Sequence, residues 1–289
     1  MTVHTIDRGD AIALFHEMMQ PSSPFRVLRL VGEPKQGKSH LVTKVFPGLA
    51  RERYQAQCAV VDLRNRAQSI PDIIHAACGL LGPQSRFPAY HTAHREWINR
   101  SKVEVSRTAV ILSRMIMRGG EEREDSKQMI RHLTAEFVVD LKKLKDVSLV
   151  MVFDQLDNAV EATCYWLMDT LLVQLAALPH VRIVIAGQTV PEASGSYAAA
   201  CQSYELLSVE EEAAYVNYCR HIGANLTEDN IRVLAQALDY NPGQFAEVMP
   251  KFMRGEGGSW LTMRFKSFWQ SSRVVRTRPR KRPLWRSRF

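Results

Sequence analysis

The sequence has no apolar run approaching the ~18 residues that a membrane-spanning helix needs, which excludes an ordinary helical membrane protein. Its opening residues, MTVHTIDRGD, lack a basic stretch followed by a long apolar core, so no secretory signal is expected. The five cysteines (Cys58, Cys78, Cys164, Cys201, Cys219) are odd in number, scattered and never spaced C-x-x-C. That argues against a disulfide framework or a zinc cluster and for reduced core thiols in a cytoplasmic protein. Internal repeats are absent. Acidic residues are missing from one stretch: Gly257 to Phe289 holds ten Lys/Arg and no Asp/Glu. The net charge of +8 is therefore local, and without this tail the chain carries −2. With 46% hydrophobic and 24% charged residues over 289 positions, the rest reads as a soluble globular protein. One large domain, or a core domain plus a small one, fits that length.

Against these absences stands one dense signal. Gly32-Glu33-Pro34-Lys35-Gln36-Gly37-Lys38-Ser39 fits G-x-x-x-x-G-K-[ST] at every fixed position, the spacing of a phosphate-binding P-loop. Gly32 and Gly37 let the backbone fold tightly so that its N–H groups point at a phosphate. Lys38 is placed to reach the β- and γ-phosphates, and Ser39 to offer its hydroxyl to Mg²⁺. The helix beginning here adds the positive end of its dipole. Pro34 and Gln36 within the loop and His40 just after it complete the expected nucleotide-binding set. The flanks suit the motif. Phe25 to Val31 is a short β-prone run, and Ser39 to Phe46 has helical spacing that Pro47-Gly48 is expected to stop.

A second signal lies about 115 residues further on. Val147 to Asp154, VSLVMVFD, is a near-continuous apolar run ending in an acid, the pattern of a strand buried on both faces. An acid at that strand end holds Mg²⁺ through water, so Asp154 is the expected metal-side residue, the Walker B position. Hydrolysis also needs a carboxylate to orient the attacking water. The next residue is Gln155, which leaves Asp157 as the nearby candidate. His180 to Thr189 is another buried strand, and Gln188 or Thr189 at its end is placed to sense the γ-phosphate.

The remaining elements alternate. A short extended piece at Val3 precedes a helix from Gly9 or Asp10, capped by Asp10 or Asp7. Cys58 to Arg64 reads as a strand, and a helix runs from about Ser69 to Leu81. Residues 84–145 read as a packed helical insert of about three helices, near 91–100, 104–118 and 124–145. Ala162 to Leu178 is a further helix. Tyr204 to Leu207 ends the sheet. Ser208-Val209-Glu210-Glu211 has a capping-box pattern opening a helix to His221, Thr227 opens another, and Gln244 to Arg254 forms a third. Strand–helix alternation predicts an α/β fold: a parallel sheet flanked by helices, of the P-loop NTPase class, followed by a small helical lid domain. The expected division is residues 1–207, the P-loop domain; 208–256, the helical lid; and 257–289, the basic aromatic tail.

In its order of elements the chain resembles the STAND ATPases, the signal-transduction branch of AAA-like P-loop NTPases that includes NACHT and NB-ARC domains. Ile6-Asp7-Arg8 ahead of a helix with Phe15 is similar to the Arg-containing segment that family places before its P-loop. Phe153-Asp154-Gln155-Leu156-Asp157 is similar to the NACHT form of Walker B, and Leu206 to Glu211 to the start of its helical lid. Asn241-Pro242-Gly243 resembles its Gly-x-Pro element. The resemblance covers about residues 3–255. It implies ATP/ADP and Mg²⁺ as cofactors, with Arg8 and Pro242 on the nucleotide. The Arg that often follows the sensor strand is replaced by Gly187-Gln188-Thr189, and there is no room for a winged helix or sensor repeats. A minimal module that works with other polypeptides, or with copies of itself, is therefore implied.

Two functions follow. One is a slowly hydrolysing, ATP-driven switch controlling assembly with protein partners. The other is a DNA-associated AAA+ ATPase, of the transposition-helper or initiator kind, gripping nucleic acid through residues 257–289, where Arg/Lys are interleaved with Trp260, Phe265, Phe268, Trp269, Trp285 and Phe289. A membrane surface or an acidic partner groove would suit the same tail. A P-loop scaffold without turnover is a third reading, resting on Gln155.

Overall fold

The structure, a computed structural model, describes residues 6–108 and 124–253. The extended piece at Val3, most of the helix expected at 104–118 and the whole basic tail lie outside the described residues. The described residues divide into two units: one within Arg8–Leu207, and a second made of residues 6–7 together with 208–253.

In the first unit, helix α1 (Gly9–Met19) precedes strand β1 (Val27–Gly32). Helix α2 starts as Lys38–His40, passes through a π turn at Leu41–Val45 and continues as Phe46–Tyr54. Strand β2 (Gln57–Asp62) and helix α3 (Ile70–Leu81) follow. The insert contributes α4 (Pro88–Thr108) and α5 (Glu124–Lys143). Then come β3 (Leu149–Asp154), α6 (Glu161–Tyr165, a π turn at Trp166–Leu171, then Leu172–Leu175), β4 (Val181–Gly187) and β5 (Cys201–Leu206). The strands form one sheet in the order β2-β3-β4-β1-β5, every neighbour parallel. The carboxyl ends of all five strands therefore share one edge, the edge where parallel α/β sheets bind ligands.

The period-2 alternation of strand side chains sorts the core. Leu149, Met151 and Phe153 of β3, with Ile183 and Ile185 of β4, pack on the face covered by α3, α5 and α6. Val150, Val152, Val184 and Ala186 face the other way, with Leu28 and Leu30, against α1 and α2. This explains why β3 and β4 read as unbroken apolar runs: both are buried on both faces. Asp154 continues the even-numbered face, the one α2 covers. The insert is tied down by polar as well as apolar contacts. Tyr90 N donates to the fully buried Asp140 carboxylate at 2.9 Å, and Trp166 Nε1 donates to Thr134 Oγ1 at 2.9 Å. All five cysteines are free, and burial pushes the Cys58 thiol up to about 12 and Cys201 to about 11, which keeps both protonated.

The second unit holds α7 (Glu212–His221), α8 (Glu228–Ala237) and α9 (Pro242–Met253) around Tyr215, Leu234, Phe245 and Met249, with Ile6 in the same cluster. Among the described residues no helix is long and apolar enough to cross a membrane.

Several local expectations need correction. Pro47-Gly48 does not end α2. The π turn leaves Pro47 in the first turn of the following α segment, where a missing N–H is tolerated. Neither Asp7 nor Asp10 caps α1, which has Arg8 at its N-cap and no side-chain cap bond. Where helices near 91–100 and 104–118 are expected, one helix runs without a break from Pro88 to Thr108. Ser208 does not open α7, which starts at Glu212 with Glu211 at its N-cap, while Val209 is buried and its N–H donates to Tyr240 O at 3.2 Å. By contrast Ser69 and Asp72 make the full reciprocal box, and Thr227 Oγ1 accepts from Asn230 N at 3.3 Å.

Candidate functional site

The P-loop runs from the end of β1 to the start of α2. Gly32 pairs in register with Leu206 of β5, and a Cβ added at Gly32 would lie 2.6 Å from Leu206 O, so only glycine lets the strands meet here. Gly37, at φ 88°, is the left-handed N-cap of α2. Lys38 is buried, and its Nζ donates to Gly32 O at 2.5 Å and Glu33 O at 2.7 Å, closing the loop on itself. Burial lowers the Lys38 pKa; Asp157, Asp154 and Glu33 oppose that, and Arg8 adds to it. Arg8 is buried too. Its guanidinium donates to Gln36 O at 2.7 Å and to Leu207 O at 3.0 Å. Pro34 and His40 are exposed, and Gln36 is buried.

Asp154 ends β3 and is 3% exposed. Burial raises its pKa, despite hydrogen bonds from the Ser39 hydroxyl and the Gln155 N–H, the latter at 2.9 Å. Asp62 raises it further and Arg64 lowers it. A carboxyl whose folded pKa is raised destabilises the fold as pH rises and it ionises. Asp154→Asn is therefore expected to raise the melting temperature at neutral pH by a few degrees. That gain should shrink as the pH falls through the folded pKa and vanish below about 4, where the carboxyl becomes protonated in the unfolded chain as well. A pH-independent difference in a thermal-denaturation series would contradict this account.

The loop after β3 holds Asp157. Its Oδ1 accepts from the backbone N–H of Gln188, just past β4, at 2.7 Å, and its Oδ2 lies 3.4 Å from Gln188 Nε2. Gly187 makes that approach possible, since a Cβ there would sit 2.8 Å from Asp157 Oδ1. The structure thus brings Lys38, Ser39, Asp154, Asp157 and Gln188 to one edge of the sheet, with Arg8 on the loop's backbone. Pro242 belongs to the second unit, where it opens α9 beside Asn241, whose Oδ1 accepts from Gln244 N at 3.0 Å.

Sequence reading missed two neighbours of Asp154. Asp62 ends β2 in register with Asp154, and Arg64 holds the Asp62 carboxyl below its usual range through side-chain hydrogen bonds. The signal was present, because β2 also ends in an acid. Gln155 Nε2 donates to Ser39 Oγ at 2.8 Å, a contact across 116 residues with no local signature.

No protein-family model and no curated protein matches the chain. Among solved structures it is similar to the Walker-type ATPase paby2304 of Pyrococcus abyssi, with a TM-score of 0.53 and 13% identity over 94% of this chain and 77% of that one. It also matches Cdc6p from Pyrobaculum aerophilum at a TM-score of 0.49 and 11% identity, over 85% of this chain and 60% of that one. The Drosophila ORC bound to AT-rich DNA and Cdc6 matches at 0.35 and 14%, over 91% and 83%. The first of these likenesses supports the P-loop ATPase fold that the topology displays.

Proposed function

We propose that the chain is a magnesium-dependent, ATP-binding P-loop protein that turns over slowly and works as a STAND-like nucleotide switch with protein partners or further copies of itself. The observation that carries this reading is the convergence of Lys38, Ser39 and Asp154 beside a Gln155 that cannot act as a base. The donor set fits the ligand. A buried ammonium and a glycine-rich loop at a helix start suit phosphates, while a hydroxyl and a buried carboxylate suit a hard divalent cation. Bound Mg²⁺ would neutralise charge on the β- and γ-phosphate oxygens. Lys38 would exchange its loop carbonyls for phosphate oxygens. Asp157, oriented by the Gln188 N–H, is the one carboxylate of the β3 loop left to position water. Residues 208–256 would serve as the helical lid.

Asp157→Asn tests the chemistry. Asparagine keeps an oxygen for the Gln188 N–H but loses the charge, so turnover should fall about a hundredfold or more, as general base catalysis typically contributes, while ATP affinity changes less than about threefold. Equal loss of both would assign Asp157 to structure or metal binding. The second reading, a DNA-associated ATPase, is favoured by one specific observation, the ten Lys/Arg and absent acids of residues 257–289. ATP turnover measured with and without double-stranded DNA separates the two. A sharp rise with DNA would select the second reading, and slow turnover indifferent to DNA the first.

A further inference from the structure

The contact that the proposed chemistry does not use is the one made by the Gln155 side chain. Its amide is held at both ends: Nε2 donates to Ser39 Oγ at 2.8 Å, and Oε1 accepts from Asn158 Nδ2 at 3.0 Å. The bond from Asn158 fixes which end of the amide faces Ser39, because a flipped amide would set two N–H groups against each other. The backbone of Gln155 is left-handed, φ 65° and ψ 41°, a conformation that a residue with a side chain adopts at a cost and that here aims the amide at the P-loop. The chain of bonds runs Asn158, Gln155, Ser39, so it links the loop after β3 to the first turn of α2.

This arrangement opposes a cation. A hydroxyl has one proton to donate and two lone pairs. Ser39 gives one lone pair to the Gln155 N–H, so while that bond stands the partial positive charge of the N–H, and not a cation, faces this oxygen. We propose that Gln155 is a latch on the cation site: its amide occupies Ser39 in the resting chain and has to leave, or turn its oxygen inward, before a divalent cation binds. This rests on the nucleotide-binding reading above and goes beyond it, because it makes cation entry, and not only hydrolysis, a property of the residue after Asp154. Asn158 is the latch's keeper, since it holds the amide oxygen away.

The test is an Mn²⁺ titration followed by electron paramagnetic resonance at saturating ADP, comparing wild type, Gln155→Ala and Asn158→Ala. Losing one competing neutral hydrogen bond should tighten Mn²⁺ about five- to tenfold in Gln155→Ala. Asn158→Ala should tighten it in the same direction, because the freed amide can present its oxygen to the ion. Unchanged or weaker Mn²⁺ binding by Gln155→Ala, with ADP still bound, overturns the latch alone and would make Gln155 a bystander or a ligand. Failure of wild type to bind ADP, seen by equilibrium dialysis, overturns the nucleotide reading and the latch with it.

Discussion

Lys38→Ala is expected to reduce ATP and ADP affinity at least a hundredfold without unfolding the protein. The ammonium is buried, and its two bonds go to carbonyls of the loop it sits in, Gly32 O and Glu33 O. In the free chain these bonds compensate a charge that burial penalises, so deleting ammonium and stem together leaves a roughly balanced account of stability. With nucleotide bound the comparison changes. Charge-assisted bonds to phosphate are each worth about 1.5–3 kcal/mol, and two of them amount to a factor of a hundred or more. Isothermal titration with ATP and a melting curve on the same sample check both halves. Near wild-type affinity in a folded mutant would remove the phosphate-binding role from this loop.

Gly32→Ala is expected to have the largest effect on stability of any single methyl group added to the P-loop. The obstacle is a backbone atom, Leu206 O at 2.6 Å, and backbone cannot swing aside as the tip of a side chain can. β1 and β5 are paired in parallel from Val27 with Cys201 to Gly32 with Leu206, so the last rung would have to open. Overpacking of this kind costs about 2–3 kcal/mol, or roughly 5–10 °C in melting temperature for a unit of this size. Gly37→Ala is the control. A Cβ there meets nothing nearer than Arg8 Nε at 4.0 Å, so only the left-handed φ is strained and the loss should be smaller. Equal losses from the two substitutions would show that conformation, and not the approach of β5, governs the loop.

The parts of the fold legible in the sequence are those where a local pattern and tertiary burial agree. Val147 to Asp154 and His180 to Thr189 read as buried strands because β3 and β4 have no solvent face to demand polar residues. The P-loop was legible because its chemistry fixes residue types at fixed spacing. Features set by long-range contact were not. Ser208 to Glu211 carries the letters of a capping box, but with Val209 buried and bonded to Tyr240 O the helix starts only at Glu212. Pro47 looked like a stop because a π turn, invisible to a 3.6-residue period, precedes it. Asp157 and Gln188 were named separately as candidates, and only parallel strands ending at one edge bring them to 2.7 Å. Asp62 beside Asp154 needed the order of strands, which the sequence does not state.

The second unit is discontinuous, since Ile6 lies in the cluster otherwise built from residues after Ser208. This has a consequence during synthesis, when domains generally fold as units from the N-terminus as the chain emerges. Arg8 to Leu207 is complete as a unit once residue 207 is out of the ribosome. Ile6, made before the first unit, has its apolar partners only after about two hundred more residues have been added, at the rate of translation about 10–40 s later. The loop from Gly32 to Ser39 is thus assembled on the nascent chain before the helical unit has its full set of core residues. On the nucleotide-binding reading proposed above, a nucleotide present during synthesis would meet the first unit while the second was still incomplete.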